Sequence, residues 1–281
     1  MSDFSSLFAT INLSAPWLMP YQHIHQLFVE SEQTGDLADW LNGYFCQYAI
    51  KPVLYGTERS LRFVSQDDLP HGTAYEKHIF DTANIPTRNN LHDWFGACVW
   101  SVFPKSKAVL NHVHIREMAY DDQLGGRNRV RDAITVFDEN GAILVTKDKG
   151  IATALKNFDW QNSLVSPRIF WHNPNAISDQ ESSQVVIFGH ALLEQLITPR
   201  KPLCSHTLII EVDDEYFSKD LAGRLSYLDE LLSVRLIRWL VAGATPRDLS
   251  PLPILGVPHF WDNDNASFYD DAFVFRDGRR K

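Results

Sequence analysis

The chain has 281 residues, 44% of them hydrophobic and 22% charged, an ordinary globular mix that excludes a disordered protein. Its formal net charge of −9 argues against bulk binding to nucleic acid or to an anionic membrane. Cys46, Cys98 and Cys204 are widely spaced with no C-x-x-C pair, which excludes a disulfide scaffold or a cysteine zinc site and fits thiols in a reducing compartment.

Met1-Ser2-Asp3-Phe4 carries no basic flank leading into an apolar run, so no secretory leader is expected. No window approaches the roughly 18 apolar residues of a membrane span. Even residues 228–241, the most apolar helix candidate, are interrupted by Asp229, Glu230, Arg235 and Arg238. A cytoplasmic protein with no membrane or nucleic-acid partner is expected.

Residues 22–31 and 36–49 read as helices, the second opening on Asp36 as its N-cap. There Leu37, Trp40, Leu41, Tyr44, Phe45 and Tyr48 recur at helical spacing, a stripe wide enough for a core. Residues 61–65 alternate like a short strand, and a helix covers 74–82. Asn89 or Asn90 caps a helix running to about Phe103. Pro104 cannot donate inside a helix but suits the first turn of a second one, which ends near His114 and leaves His112 and His114 at a helix end. Residues 120–128, with Gly125-Gly126, read as a loop. Residues 132–138 and 142–146 flank Asp138-Glu139-Asn140-Gly141 and predict a β-hairpin. The rival is a helix ending at Gly141, because Ala133, Ile134 and Phe137 also fit a period near 3.6.

Residues 184–188 form a buried-type strand, followed by Gly189 and a helix to about Ile197. Residues 206–212 form another strand, with Asp213 or Asp214 capping the next helix, and a long helix covers 224–242. From Ser250 a proline-rich tail with large aromatics predicts an extended arm over the body. The expected fold is α+β: a helix-rich single domain with a small sheet and an extended proline-rich C-terminal arm. It divides into an N-terminal helical part (1–84), a motif-bearing core (85–249) and the arm (250–281).

Charge is uneven. Residues 88–131 hold seven basic and four acidic residues, a net +3 against −12 for the remainder. Either a small anionic ligand or internal salt bridging accounts for this. At the predicted helix start, Arg88, Asn89, Asn90, His92 and Asp93 crowd together. Free N–H groups and the helix dipole there favour an anion, and Arg88 can fork two oxygens of a phosphate or carboxylate. Lys107 lies near the same helical face if the kink is mild. Arg88, Lys107, Asn89 and Asn90 are therefore candidate substrate ligands, with His92 and Asp93 as the catalytic acid/base pair. The alternative is a set of caps and a core histidine.

His190-Ala-Leu-Leu-Glu194 places imidazole and carboxylate on one helix face. The pair can hold a divalent metal or poise His190 as an acid/base, and its place after a strand resembles sites in α/β layers. Such a metal needs a third ligand, for which His92, Asp93 and His206 are candidates. In the hairpin reading Arg131 joins the substrate clamp, while Asp138-Glu139 is solvated at the turn. Trp100 and Trp261 can wall a pocket or serve as core. No phosphate loop, dinucleotide glycine motif or nucleophile elbow is present.

Several segments resemble a known family. They are Pro86-Thr-Arg-Asn-Asn-x-His92-Asp93-x-Phe95; Phe103-Pro104-x-x-Lys107-x-x-Leu110-Asn111; Arg131-Asp-Ala-x-Thr-x-Phe-Asp-Glu139-x-Gly141; Phe188-Gly-His-Ala-x-x-Glu194; and Pro251-Leu-Pro-Ile-Leu-Gly-Val-Pro258. Together they resemble the bacterial family called domain of unknown function 3025, over roughly residues 85–275, most of the chain. Gly96 and His259 depart from its pattern. The resemblance implies a soluble bacterial setting and no particular activity. The residues themselves lead to an expected enzyme, a hydrolase or transferase on a small anionic substrate, with a phosphorylated compound as one option for substrate and a divalent metal as one option for cofactor. A non-catalytic metabolite-binding or interaction module is the alternative.

Overall fold

Phe8 and residues 10–31, 35–124, 128–176 and 178–278 are described by the computed structural model. The protein is helix-rich α+β, and its chain folds into two compact units. One comprises Met1–Leu13, Tyr21–Thr135 and Leu225–Thr245; the other comprises Ser14–Pro20, Val136–Arg224 and Pro246–Lys281.

The first unit holds α1 (Gln22–Glu30), α2 (Leu37–Gln47), β1 (Arg62–Ser65), α3 (Tyr75–Thr82), β2 (Asn84–Thr87), α4 (Leu91–Val102) and α5 (Pro104–Leu124). Asp36 caps α2 by accepting the Ala38 N–H. Strands β1 and β2 pair in parallel, joined through α3. β2 was not expected, because Pro86 weakens its strand signal. Asn42 of α2 clips the strand by bonding both the N–H and the carbonyl of Phe63. Asn90 is the cap of α4, accepting the Asp93 N–H at 2.8 Å.

Two expectations change here. Helix α5 runs on to Leu124, so His112 and His114 sit within the helix rather than near its end. The expected loop at 120–128 gives way accordingly, and its Gly125-Gly126 pair lies outside the described residues. Residues 129–140 form helix α6 (Arg129–Asn140) instead of a hairpin arm. Ala133, Ile134 and Phe137 are all buried, so the 3.6-residue period outweighs the turn signal at Asp138-Glu139-Asn140-Gly141.

In the second unit, β3 (Gly141–Thr146), β4 (Ser183–Ile187), β5 (Cys204–Glu211) and β6 (Ser250–Pro253) form one sheet in the order β4-β3-β5-β6. β3 runs parallel to β5; β4 and β6 are antiparallel to their neighbours. Every residue of β3 and β4 is buried, as expected for strands covered on both faces. Helix α7 (Lys149–Lys156) packs on β3, and α8 (His190–Gln195) follows β4. Asp213 caps α9 (Asp214–Ser218), and α10 (Leu221–Val241), which follows, belongs from Leu225 onward to the first unit.

The proline-rich tail begins as a sheet strand rather than as an arm lying over the body. β6 is an edge strand, the position where Pro251 and Pro253 remove no ladder bond that the sheet needs. Among the described residues, no helix is long and apolar enough to cross a membrane.

Candidate functional site

Two turns of the second unit meet without side chains between them. The Gly141 carbonyl, where α6 passes into β3, accepts the N–H groups of Phe188 and Gly189 at 3.0 and 2.8 Å. A Cβ on Gly189 would stand 2.4 Å from the Gly141 nitrogen and 2.5 Å from the Glu139 carbonyl oxygen. Only glycine permits this approach, and it sets His190, the first residue of α8, against the last turn of α6.

His190 is oriented through Nδ1. Nδ1 lies 2.8 Å from the Asp138 carbonyl oxygen, which can only accept, so Nδ1 carries the proton and donates. In the neutral ring this leaves a lone pair on Nε2, 3.5 Å from Glu139 Oε2. The Asp138 carboxylate stands 3.9 Å from Nδ1. His190 is buried, while the Glu139 side chain keeps 36% of its surface, so the pair opens to solvent on the carboxylate side.

A lone pair facing a carboxylate is repulsive unless a proton or a cation lies between them. Two ligands about 2.1 Å from a tetrahedral ion are separated by roughly 3.4 Å, close to the spacing observed. A histidine whose second nitrogen donates to a backbone carbonyl also has the tautomer and orientation that metal ligation requires.

Glu139 is the residue that sequence reasoning misplaced. As a hairpin-turn residue it was expected to be solvated; as part of the last turn of α6 it faces His190. The signal that could have found it was the 3.6-residue rival reading of the same segment. Glu194, the expected partner, is half-buried one turn along α8. His206 pairs in register with Gly141, at the same end of the sheet as His190, and burial lowers its pKa.

In the first unit the expected anion clamp is internally committed. Arg88 donates through Nε and Nη2 to the two oxygens of Asp93 at 3.0 and 2.9 Å, and its backbone N–H adds a bond of 2.7 Å. The side-chain bond to Asp93 is the main cause of the raised Arg88 pKa. The fork expected to hold a substrate oxygen pair thus holds the carboxylate of the helix's own first turn. Asn89 accepts the Leu37 N–H at 3.0 Å, fixing the start of α2. His92 is half-buried next to the cap.

Lys107 is buried on α5, with Nζ 5.6 Å from the centroid of the equally buried Trp100. This is a cation–π contact within the core, where Trp100 is packed as a buried side chain. Arg131 shares no strand face with Phe137, since both lie on α6; its Nε donates to His114 Nε2 at 3.3 Å. Trp261 is half exposed and stacks on Trp17 with centroids 6.5 Å apart.

A family model described as protein of unknown function (DUF3025) matches residues 61–279. No curated protein and no solved structure gives a match to the chain. The family match spans most of the sequence, from β1 through the His190 and Glu139 turns to the C-terminal segment, and the chain belongs to the family of proteins of unknown function DUF3025.

Proposed function

We propose that this protein is a divalent-metal-dependent enzyme, a hydrolase or transferase, acting on a small anionic substrate, with phosphorylated compounds as one class to screen. One observation carries the reading: His190 Nε2 faces Glu139 Oε2 at ligand-to-ligand spacing, with Nδ1 held by a backbone carbonyl. A histidine–carboxylate donor set suits a first-row divalent ion. Such an ion supplies water activation and charge stabilisation for ester or phosphoester chemistry. Its positive charge also supplies the attraction for an anionic substrate.

Hydrolytic sites usually add a third protein donor. Of the sequence candidates, His206 lies in the same unit, paired in register with Gly141. Metal content measured by plasma mass spectrometry on untagged protein, purified without chelator, tests the reading. The expected result is about one equivalent of ion per chain, lost in the folded His190→Ala and Glu139→Gln variants. The same measurement on His206→Ala tests that residue as the third donor. Metal-free protein whose melting temperature does not rise with added zinc or manganese would overturn the proposal. It would leave the pair as a protonated structural pin.

A further inference from the structure

A second polar enclosure lies at the opposite end of β4, whose five residues span roughly 16 Å. The backbone N–H of His172 donates to the Ser183 carbonyl at 2.7 Å, fixing the imidazole beside the strand's first residue. Glu181, itself buried, divides its carboxylate between two partners. One oxygen accepts from His172 Nδ1 and the other from Arg224 Nη2 at 2.8 Å. Burial alone would raise the Glu181 pKa, but the bonds from His172 and Arg224 outweigh it and hold the carboxyl below its ordinary range. With Nδ1 donating, the acceptor site of the neutral His172 ring is Nε2.

These groups border a cavity of about 380 Å³, whose wall includes Met19, His172, Gln184, Phe217 and Arg224. Gln184 is only 1% exposed. Its Oε1 accepts from the Tyr216 hydroxyl at 3.0 Å, while its Nε2 and the Nε2 of His172 are buried without a hydrogen-bond partner. Buried polar atoms are nearly always satisfied in folded proteins. Two unfilled positions in one cavity wall, one donor and one acceptor, are what a ligand would complete.

The cationic groups nearby are already engaged. Arg224 also bonds the carbonyls of Phe217 and Lys219 at 2.8 and 3.0 Å. Lys219 pairs with Glu215 at 2.8 Å, and Asp220 accepts the Gly223 N–H at 2.8 Å. The two cations of the wall are thus both held by carboxylates, which leaves no spare cation for an anionic ligand, while Asp220 is exposed and away from the buried Gln184 side of the wall. The volume lies at the small end of ligand pockets, right for a molecule of monosaccharide bulk.

We propose that this cavity binds a small, uncharged polyhydroxyl compound of the monosaccharide class. One ligand hydroxyl donates to His172 Nε2, and a neighbouring ligand oxygen accepts from Gln184 Nε2. The site is separate from the His190–Glu139 pair and does not depend on the metal reading.

The test is a titration of the full-length chain, labelled with ¹⁵N-histidine, followed by NMR with D-ribose, D-glucose and, as a charged control, inorganic phosphate. The expected result is a saturable shift of the His172 ring signals with at least one of the sugars and none with phosphate. Binding should weaken by about tenfold in Gln184→Met, the equivalent of one lost hydrogen bond, and persist in His190→Ala. Where Gln184→Met does not fold, Gln184→Glu keeps the acceptor for Tyr216 and serves the same comparison. Absence of a saturable shift with both sugars, a response to phosphate instead, or undiminished binding in the folded Gln184 variant would each overturn the proposal.

Discussion

Gly189 stands at φ −66°, a conformation open to any residue, so its role is not backbone freedom but the absence of a side chain. A methyl group there would meet three backbone atoms of the α6–β3 turn at 2.4 to 2.6 Å, and backbone cannot rotate aside as a flexible side chain can. The Gly189→Ala variant should lose about 2–4 kcal/mol of stability, read from the denaturant midpoint. It should also lose metal, because separating the two turns moves His190 from Glu139. Undiminished stability would mean that the turns part at little cost, and metal retained after destabilisation would show that the pair does not depend on this packing. Arg88 teaches the complementary lesson. Its charge and its place at a helix start both suit an anion, yet a carboxylate five residues along fits the same fork. A residue's type states what it can bind, and only its neighbours decide what it does bind.

At the scale of elements, much was legible in the sequence. Asp36, Asn90 and Asp213 cap helices where an Asp or Asn was expected to, because an N-cap is a local interaction spanning two or three residues. What escaped were effects set by distant partners or by two signals in conflict. Asp138-Glu139-Asn140-Gly141 carries the chemistry of a hairpin turn, but Phe137 stacks on Phe188 with centroids 4.8 Å apart, and burying that helical face decided the outcome. The metal candidate was half legible for the same reason: His190 stood out by its place after a strand, whereas Glu139 was hidden by the wrong period.

The start of α5 shows a cap that no local reading could supply. Asp229 on α10, more than a hundred residues away, accepts the N–H groups of Lys105 and Ser106 at 3.0 Å each and the Ser106 hydroxyl. Burial raises the Asp229 pKa more than these bonds lower it. Asp229→Ala should cost about 2–3 kcal/mol, a lost cap together with buried donors left unsatisfied. Asp229→Asn, which keeps one acceptor oxygen, should cost less. Urea unfolding of both variants checks the order, and equal stability of Asp229→Ala and the parent chain would refute the cap.

For the whole molecule, two electrostatic effects pull in opposite directions as pH falls from 7. The net charge of −9 shrinks toward the isoelectric point near 5.6, which relieves self-repulsion and favours the folded state. His25 works the other way. It is completely buried, its Nδ1 accepts the Trp94 indole N–H at 2.9 Å, and burial lowers its pKa from 6.5 to about 3. Between those values the unfolded chain binds a proton that the folded chain does not. The stability contributed by neutral His25 is therefore complete above about pH 6.5 and is lost as pH falls, at about 1.4 kcal/mol per unit. His112, His206 and His259, all lowered by burial, add in the same direction. Surface repulsion is screened beyond about 8 Å at physiological salt, whereas a buried imidazole is not, so the histidine effect should dominate. Unfolding free energy at 0.15 M salt should fall by about 2 kcal/mol between pH 7 and 5. His25→Gln, which keeps an acceptor for Trp94 but cannot titrate, should flatten most of that slope. A profile rising toward pH 5 would assign control to net charge, and equal slopes in the two proteins would remove His25 from the account.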